Sequence, residues 1–144
     1  MPNKIKQVIV MRHDLGMRKG KQIAQGAHAS MAFITRRIQQ NADGVRMPDQ
    51  FMKYGDFYMW DYLGITPVQK EWLQSSFAKV TVRVNSEEEL LEVYEKAKEA
   101  GLEVHLVTDS GKTEFHGVPT NTCLAIGPDL SEKIDPITGG LTLL

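Results

Sequence analysis

Apolar positions along this chain change period several times, and each change marks an element. Ile5 to Met11 is a β-rich run with branched residues, which predicts a buried strand. Asp14, Gly16 and Gly20 interrupt it, and a helix is then predicted from about Lys19 to Gln40. Ile23, Ala27, Met31, Ile34 and Ile38 recur there at helical spacing and are expected to form its core face. Val80, Val82 and Val84 alternate with Thr81 and Arg83 as a second strand, and Ser86 to Glu89 reads as a capping box opening a second helix. Leu90, Val93, Tyr94 and Ala97 give that helix its apolar face, and Gly101 stops it. Val104 to Val107 and Thr122 to Ile126 supply a third and a fourth strand. Strands alternating with helices predict parallel pairing under covering helices. The last connection, Asp109 to Asn121, has no helical pattern, so the fourth strand can run antiparallel and make the sheet mixed. The expected fold is an α/β single-domain sandwich, a four-stranded mixed sheet flanked by helices.

One stretch departs from this plan. Asp43 to Pro67 is a long connection carrying Phe51, Tyr54, Phe57, Tyr58, Trp60 and Tyr62. Long ordered connections often have a function, whereas such rings more often form a satellite packing cluster. A length of 144 residues suits one domain over the whole chain, 1–144, with this stretch (about 43–67) as an insertion.

Charge adds an asymmetry that the net value of −1 conceals: residues 1–40 hold eight Lys or Arg against the single acid Asp14. A basic half can bind a polyanion locally, or can simply be a solvated face. No apolar run approaches membrane-spanning length, and Pro2, Asn3, Lys4 and Lys6 break up any leader-like start, so a cytoplasmic location is expected. The single cysteine, Cys123, excludes an internal disulfide, and no His, Cys or carboxylate spacing suggests a metal. Cys123, within a strand, reads as a small buried hydrophobe.

Three segments carry candidate chemistry. Met17-Arg-Lys-Gly-Lys21 sits where a helix begins, and free N–H groups there attract anions. It is not a nucleotide-binding P-loop: Gly16 to Gly20 is too short, and Gln22 stands where a magnesium-binding hydroxyl belongs. On the same helix Lys21, Gln25 and His28 fall on one face among small residues, and His28 is either an acid–base group or a structural hydrogen-bonding residue. Thr108 to Phe115 follows the third strand, the end at which α/β sheets place ligands. There Asp109 can orient a water or a lysine and Thr113 can bond a carbonyl or phosphate; a plain Asx turn is the alternative.

Together these segments resemble the archaeal and eukaryotic type of peptidyl-tRNA hydrolase. The likeness covers Val8 to Leu15, Met17 to Ala29, Thr108 to Phe115, Leu124 to Pro128 and Ile134 to Gly139, and omits only about Asp43 to Pro67. It implies hydrolysis of the ester between a peptide and the 3′ end of tRNA, no organic cofactor, a mixed-sheet sandwich and a homodimer. It puts functional positions on Lys19, Asp109, Thr113 and a threonine at the start of the last strand, Thr122 if Leu124 to Pro128 sets the register, or Thr120 given one residue added in this loop. Lys21, Gln25 and His28 match positions lining the same site. Arg18 stands where the family usually has Gly, and Lys112 where it commonly has Arg, which removes a bidentate phosphate fork. From this come the expected roles: Asp109, helped by His28 or a water, positions the nucleophile; Lys19 and Thr113 stabilise the developing oxyanion; Thr122 holds substrate or water. Arg12, Arg18, Lys21, Gln25 and Lys112 bind substrate, with Arg36 and Arg37 as further phosphate contacts or as solvent-facing charges. The insertion would act as a lid, contact the peptide or extend a dimer interface. The rival function is a non-catalytic RNA-binding adaptor on the same fold, and a second is an esterase with another acyl-tRNA substrate.

Overall fold

The structure, a computed structural model, describes residues 4–40 and 59–144. Most of the aromatic connection, 43–58, therefore lies outside the described residues. In chain order the elements are β1 (Ile5–Arg12), α1 (Lys19–Gln40), α2 (Met59–Leu63), α3 (Pro67–Gln74), β2 (Lys79–Val84), α4 (Glu87–Glu99), β3 (Val104–Asp109), β4 (Thr120–Leu130), α5 (Ser131–Thr138) and β5 (Thr142–Leu143). The strands lie in the order β3-β4-β1-β2-β5. β1 is parallel to β2, as a helical crossover requires, and antiparallel to β4, which itself runs antiparallel to β3. The sheet is thus mixed, as its connections predict, with the two residues of β5 added at one edge.

Alternation along β1 divides the core in two. Val8 and Val10 point with Val82, Val84, Leu124 and Ile126 toward α4 and α5, where Leu90, Val93, Ala97 and Ile134 close the larger core. Ile9 and Met11 point the other way, with Cys123 and Ala125, toward Ala29 of α1. Ile5, Phe33 and Trp72 fill the end of that layer, with α3 held against it. α3 begins with a signal that the sequence carries plainly: Thr66 caps Gln69 N–H, Gln69 returns a bond to Thr66 N–H, and Pro67 stands in the first turn. Ser86 caps α4 through Glu89 N–H, while the Glu89 carboxylate reaches one residue further back, to Asn85 N–H.

α1 has the predicted bounds but is rotated from the predicted face. Its buried residues are Gln25, Ala29, Ala32 and Phe33. Ile23 is 73% exposed, Met31 56% and Ile38 49%, so the expected apolar stripe faces outward, with only Ile34 partly buried. Polar pins explain the rotation. The fully buried Gln7 donates to Ser30 O at 2.9 Å and accepts from Ser30 Oγ at 2.5 Å. The Cys123 thiol donates to Gln25 O at 3.3 Å. Small Ala29 and Ala32 let the helix settle close onto the sheet, which bulkier Ile and Met on that face would prevent.

Candidate active site

Rotation of α1 carries its polar face to the end of β3. Lys21 Nζ donates to Asp109 Oδ1 at 2.8 Å and to Thr113 Oγ1 at 2.8 Å. Gln25 Nε2 donates to the same carboxylate oxygen at 3.2 Å, and Gly111 N–H to Asp109 Oδ2 at 2.8 Å. Behind them Thr122, fully buried, donates to Gln25 Oε1 at 2.5 Å. The five side chains come from α1, from the end of β3 and its connection to β4, and from β4, so α1 meets segments about ninety residues away in sequence.

Each position has a local cause. Pairing of β3 with β4 passes from Val107 opposite Cys123 to Thr108 opposite Asn121, so Thr122 is the residue without a partner, a bulge in β4. Bulges re-aim side chains, and this one sends the Thr122 hydroxyl toward Gln25. Thr120, the alternative register, pairs with Asp109 and spends its hydroxyl on Val118 O, so it stays outside the cluster. Gly111 has φ +82°, and a Cβ there would fall 2.1 Å from Val118 O. Only glycine lets the loop fold back so that its N–H reaches Asp109.

Lys21 and Asp109 are nearly enclosed, with side chains 14% and 12% exposed. The bond from Lys21 holds the Asp109 carboxyl below the usual carboxylate range; burial opposes this, and Gly111 N–H, the Lys21 charge and Gln25 reinforce it. The group is therefore a fixed anion beside a fixed cation. α1 has no acid in its first turn, so its partial positive end adds to the charges of Arg18, Lys19 and Lys21.

Other expected residues fall elsewhere. Lys19 is exposed and lines a groove with Ile9, Met11, Ile23 and Phe77 on the opposite flank of α1, so Lys21 and not Lys19 is the lysine at Asp109. Two residues along a helix is a turn of roughly 200°, which sends the two side chains to opposite flanks. His28 is exposed one turn beyond Gln25, at the wall of a trough between α1 and β3, with no hydrogen bond among the described residues. Arg12 is buried and committed to Asp14, at 2.6 Å, and to Asn121 O, at 3.1 Å. Arg18, with a side chain 90% exposed, lies 4.0 Å from Glu114, and Lys112 is exposed on the loop. Arg36 and Arg37 are not solvent-facing: Arg36 donates to Leu106 O and to His105 Nδ1, and Arg37 grips Glu103. Burial would raise the Glu103 carboxyl, but His105 and Arg37 outweigh it and lower it to about 2. Burial pushes the Cys123 thiol up to about 11, which suits a core residue and not a nucleophile. Among the described residues no three His, Cys, Asp or Glu side chains group as metal ligands.

A buried carboxylate, an ammonium held between it and a hydroxyl, and a helix start rich in cations form a site suited to an anionic transition state. Comparisons with known proteins agree in direction. The profile of the family described as "Peptidyl-tRNA hydrolase PTH2" matches residues 5–144. The chain is 39% identical over 140 residues to the peptidyl-tRNA hydrolase of Methanocaldococcus jannaschii, covering 97% of this chain and 100% of that protein. It is 41% identical over 140 residues to the peptidyl-tRNA hydrolase of Methanothermobacter thermautotrophicus, with the same coverage. With that of Aeropyrum pernix it shares 38% over 143 residues, 96% of this chain and 94% of the other.

Proposed function

Because the chain belongs to the peptidyl-tRNA hydrolase PTH2 family, we propose that it hydrolyses the ester between a peptide and the 3′ end of tRNA at the Lys21–Asp109–Thr113 cluster. The observation that carries the mechanism is the valence of Lys21. An ammonium has three protons; one goes to Asp109 and one to Thr113, which leaves the third. Thr113 accepts from Lys21, so its own proton is also free. The two remaining donors sit side by side, where the carbonyl oxygen of an ester gains charge as water adds. Preorganised donors of this kind contribute about 10²–10³ each in rate. Asp109, kept ionised below its usual range, is a weak base; it orients Lys21 and the attacking water. Thr122 acts through Gln25, whose amide it fixes so that the N–H₂ faces Asp109. The peptide leaves as a carboxylic acid, and the water's other proton completes the 3′-hydroxyl of the tRNA.

Arg18 and Lys112, exposed beside the cluster, bind tRNA phosphates together with the helix start. Arg12 is a fixed strut under the site. The exposed apolar groove of about 600 Å³ bordered by Ile23, Met31, Phe77 and Leu144 is the surface by which two copies pair. No helix of the described residues is long and apolar enough to cross a membrane, and the enzyme acts in the cytoplasm on products of translation. No feature of the site favours a binding-only adaptor.

The deciding experiment is hydrolysis of an N-acetyl-aminoacyl-tRNA beside its free-amine counterpart, with Asp109→Ala as control. Rapid loss of the blocked substrate by the wild type, with an inactive variant that still folds, is the expected result. A folded wild-type protein that binds tRNA without turnover would reverse the reading.

A further inference from the structure

A trough of about 420 Å³ opens beside the catalytic cluster, between α1 and β3, and the chemistry proposed above does not use it. Its walls are His28, Ala32, Thr35 and Gln39 from α1, and Val107 and Thr108 from β3. We infer that this trough is the subsite for the peptide portion of the substrate, which lies in it extended, leading away from the ester at Asp109. The inference rests on the hydrolase reading and assigns a place to one half of that substrate.

Continuity is the first argument. Thr108 directly precedes Asp109, and His28 lies one turn after Gln25, so the trough begins where the cluster ends. The larger apolar groove does not share this access, because α1 stands between it and Asp109.

Charge is the second. The exposed cations beside the cluster, Arg18 and Lys112, lie at the start of α1 and on the 110–119 loop, which draws the phosphates of the tRNA end to that side. Among the described residues that line the trough the one Lys or Arg is Arg36, and it already donates to Leu106 O and to His105 Nδ1. It offers no open fork to a phosphate.

Strand geometry is the third. β3 is the edge of the sheet among the described residues. Glu103 O accepts from Gly127 N–H of β4 at 2.9 Å, so alternation along an antiparallel ladder turns the Leu106 backbone outward; Arg36 occupies its carbonyl, and its N–H is left to face a further chain. An edge backbone with hydroxyl and amide side chains opposite recognises main chain, and main chain is what peptides of differing sequence share.

Length makes the idea measurable. From His28 to Gln39 the helix rises about 16 Å, room for about five extended residues. Hydrolysis is to be measured for acetyl-aminoacyl-tRNA and for peptidyl-tRNAs of two to eight residues ending in the same amino acid. The wild-type KM is expected to fall by about fivefold as the peptide lengthens, and to level off near five residues. Thr35→Trp, which fills the middle of the trough, erases this gain. Gln39→Trp, at its far end, moves the levelling-off to shorter peptides and guards against misfolding of the first variant. A wild-type KM independent of peptide length overturns the inference and leaves the hydrolase reading intact. So does a Thr35→Trp effect equal on the acetyl and the long substrates, which assigns the trough to the tRNA end. Failure to cleave any of these substrates overturns both.

Discussion

The two flanks of α1 are made of opposite materials and put to opposite uses. One flank carries Lys21 and Gln25 and is turned in, against Asp109 and Thr122. The other carries Ile23 and Met31 and is left in water. Burying apolar area alone would turn this helix round, since each large aliphatic side chain is worth about 1.5–3 kcal/mol when fully buried. The polar flank wins because the polar groups it encloses find partners: Lys21 two acceptors, Gln25 a donor and an acceptor, and the Gln25 backbone carbonyl the Cys123 thiol. A satisfied polar network can be buried at modest cost, and under the proposed function it is also the machinery. The apolar flank is left exposed, and under the proposed function it is where two copies pair.

The sharpest way to test this division is to move the same change from one flank to the other. Lys21→Ala is expected to lower kcat on N-acetyl-aminoacyl-tRNA by about 10²–10³-fold, the loss typical of an oxyanion donor. Lys19→Ala, two residues away, should leave kcat within about twofold and act at most on KM, through one phosphate contact. Equal losses for both variants would abolish the distinction between the flanks. Thr122→Val comes next. It removes the donor to the buried Gln25 amide oxygen, and an unsatisfied buried acceptor costs about 1–3 kcal/mol. Urea unfolding should register that loss, and kcat should drop as Gln25 loses its orientation; an unchanged kcat would make the bulge residue purely structural.

Acid titration probes a third network at the far end of α1. Glu103 has a folded value of about 2 against an ordinary 4.5. A lowered carboxyl gives stability that is whole above the ordinary value and drains away as pH falls through the folded one. Denaturant unfolding should therefore show stability declining between about pH 5 and 2, and Glu103→Gln should flatten that decline while costing on the order of 1.5–3 kcal/mol at neutral pH. The smallest effect on the single chain is expected from Ile23→Glu. It should change monomer stability by no more than about 0.5 kcal/mol, as exposed substitutions do, yet weaken pairing of two copies in sedimentation. A dimer that ignores this change pairs through another surface.

Most of the fold was legible because its signals are local. The branched runs at Val8–Val10 and Val80–Val84, the Ser86 cap and the Gly101 stop each act within a few residues. α3 was not predicted, although the Thr66 cap and Pro67 that open it are local signals of the same kind. The rotation of α1 was not legible. Ile23, Ala27, Met31, Ile34 and Ile38 repeat at helical spacing, as Gln25, Ala29 and Ala32 also do, and periodicity measures a stripe without saying which stripe faces in. The choice is made by Gln7, Cys123 and Thr122, far away in the chain. The site followed the same rule. Asp109, Thr113 and Gln25 stand out as polar residues at promising ends of elements, but the choice between Lys19 and Lys21 needs the helix phase, and that depends on the tertiary pins. The burial of Arg12 likewise depends on Asn121 in another strand.

The position of Cys123 has a practical consequence. It is the only thiol in the chain, it is fully buried opposite Met11 and Val107 in the middle of the sheet, and its ionisation is pushed up to about 11. An alkylating reagent meets no thiolate until β4 separates from its neighbours. The rate of labelling at rising denaturant thus clocks the opening of the central strand, and the molecule carries a single-site reporter of its own unfolding with no residue added.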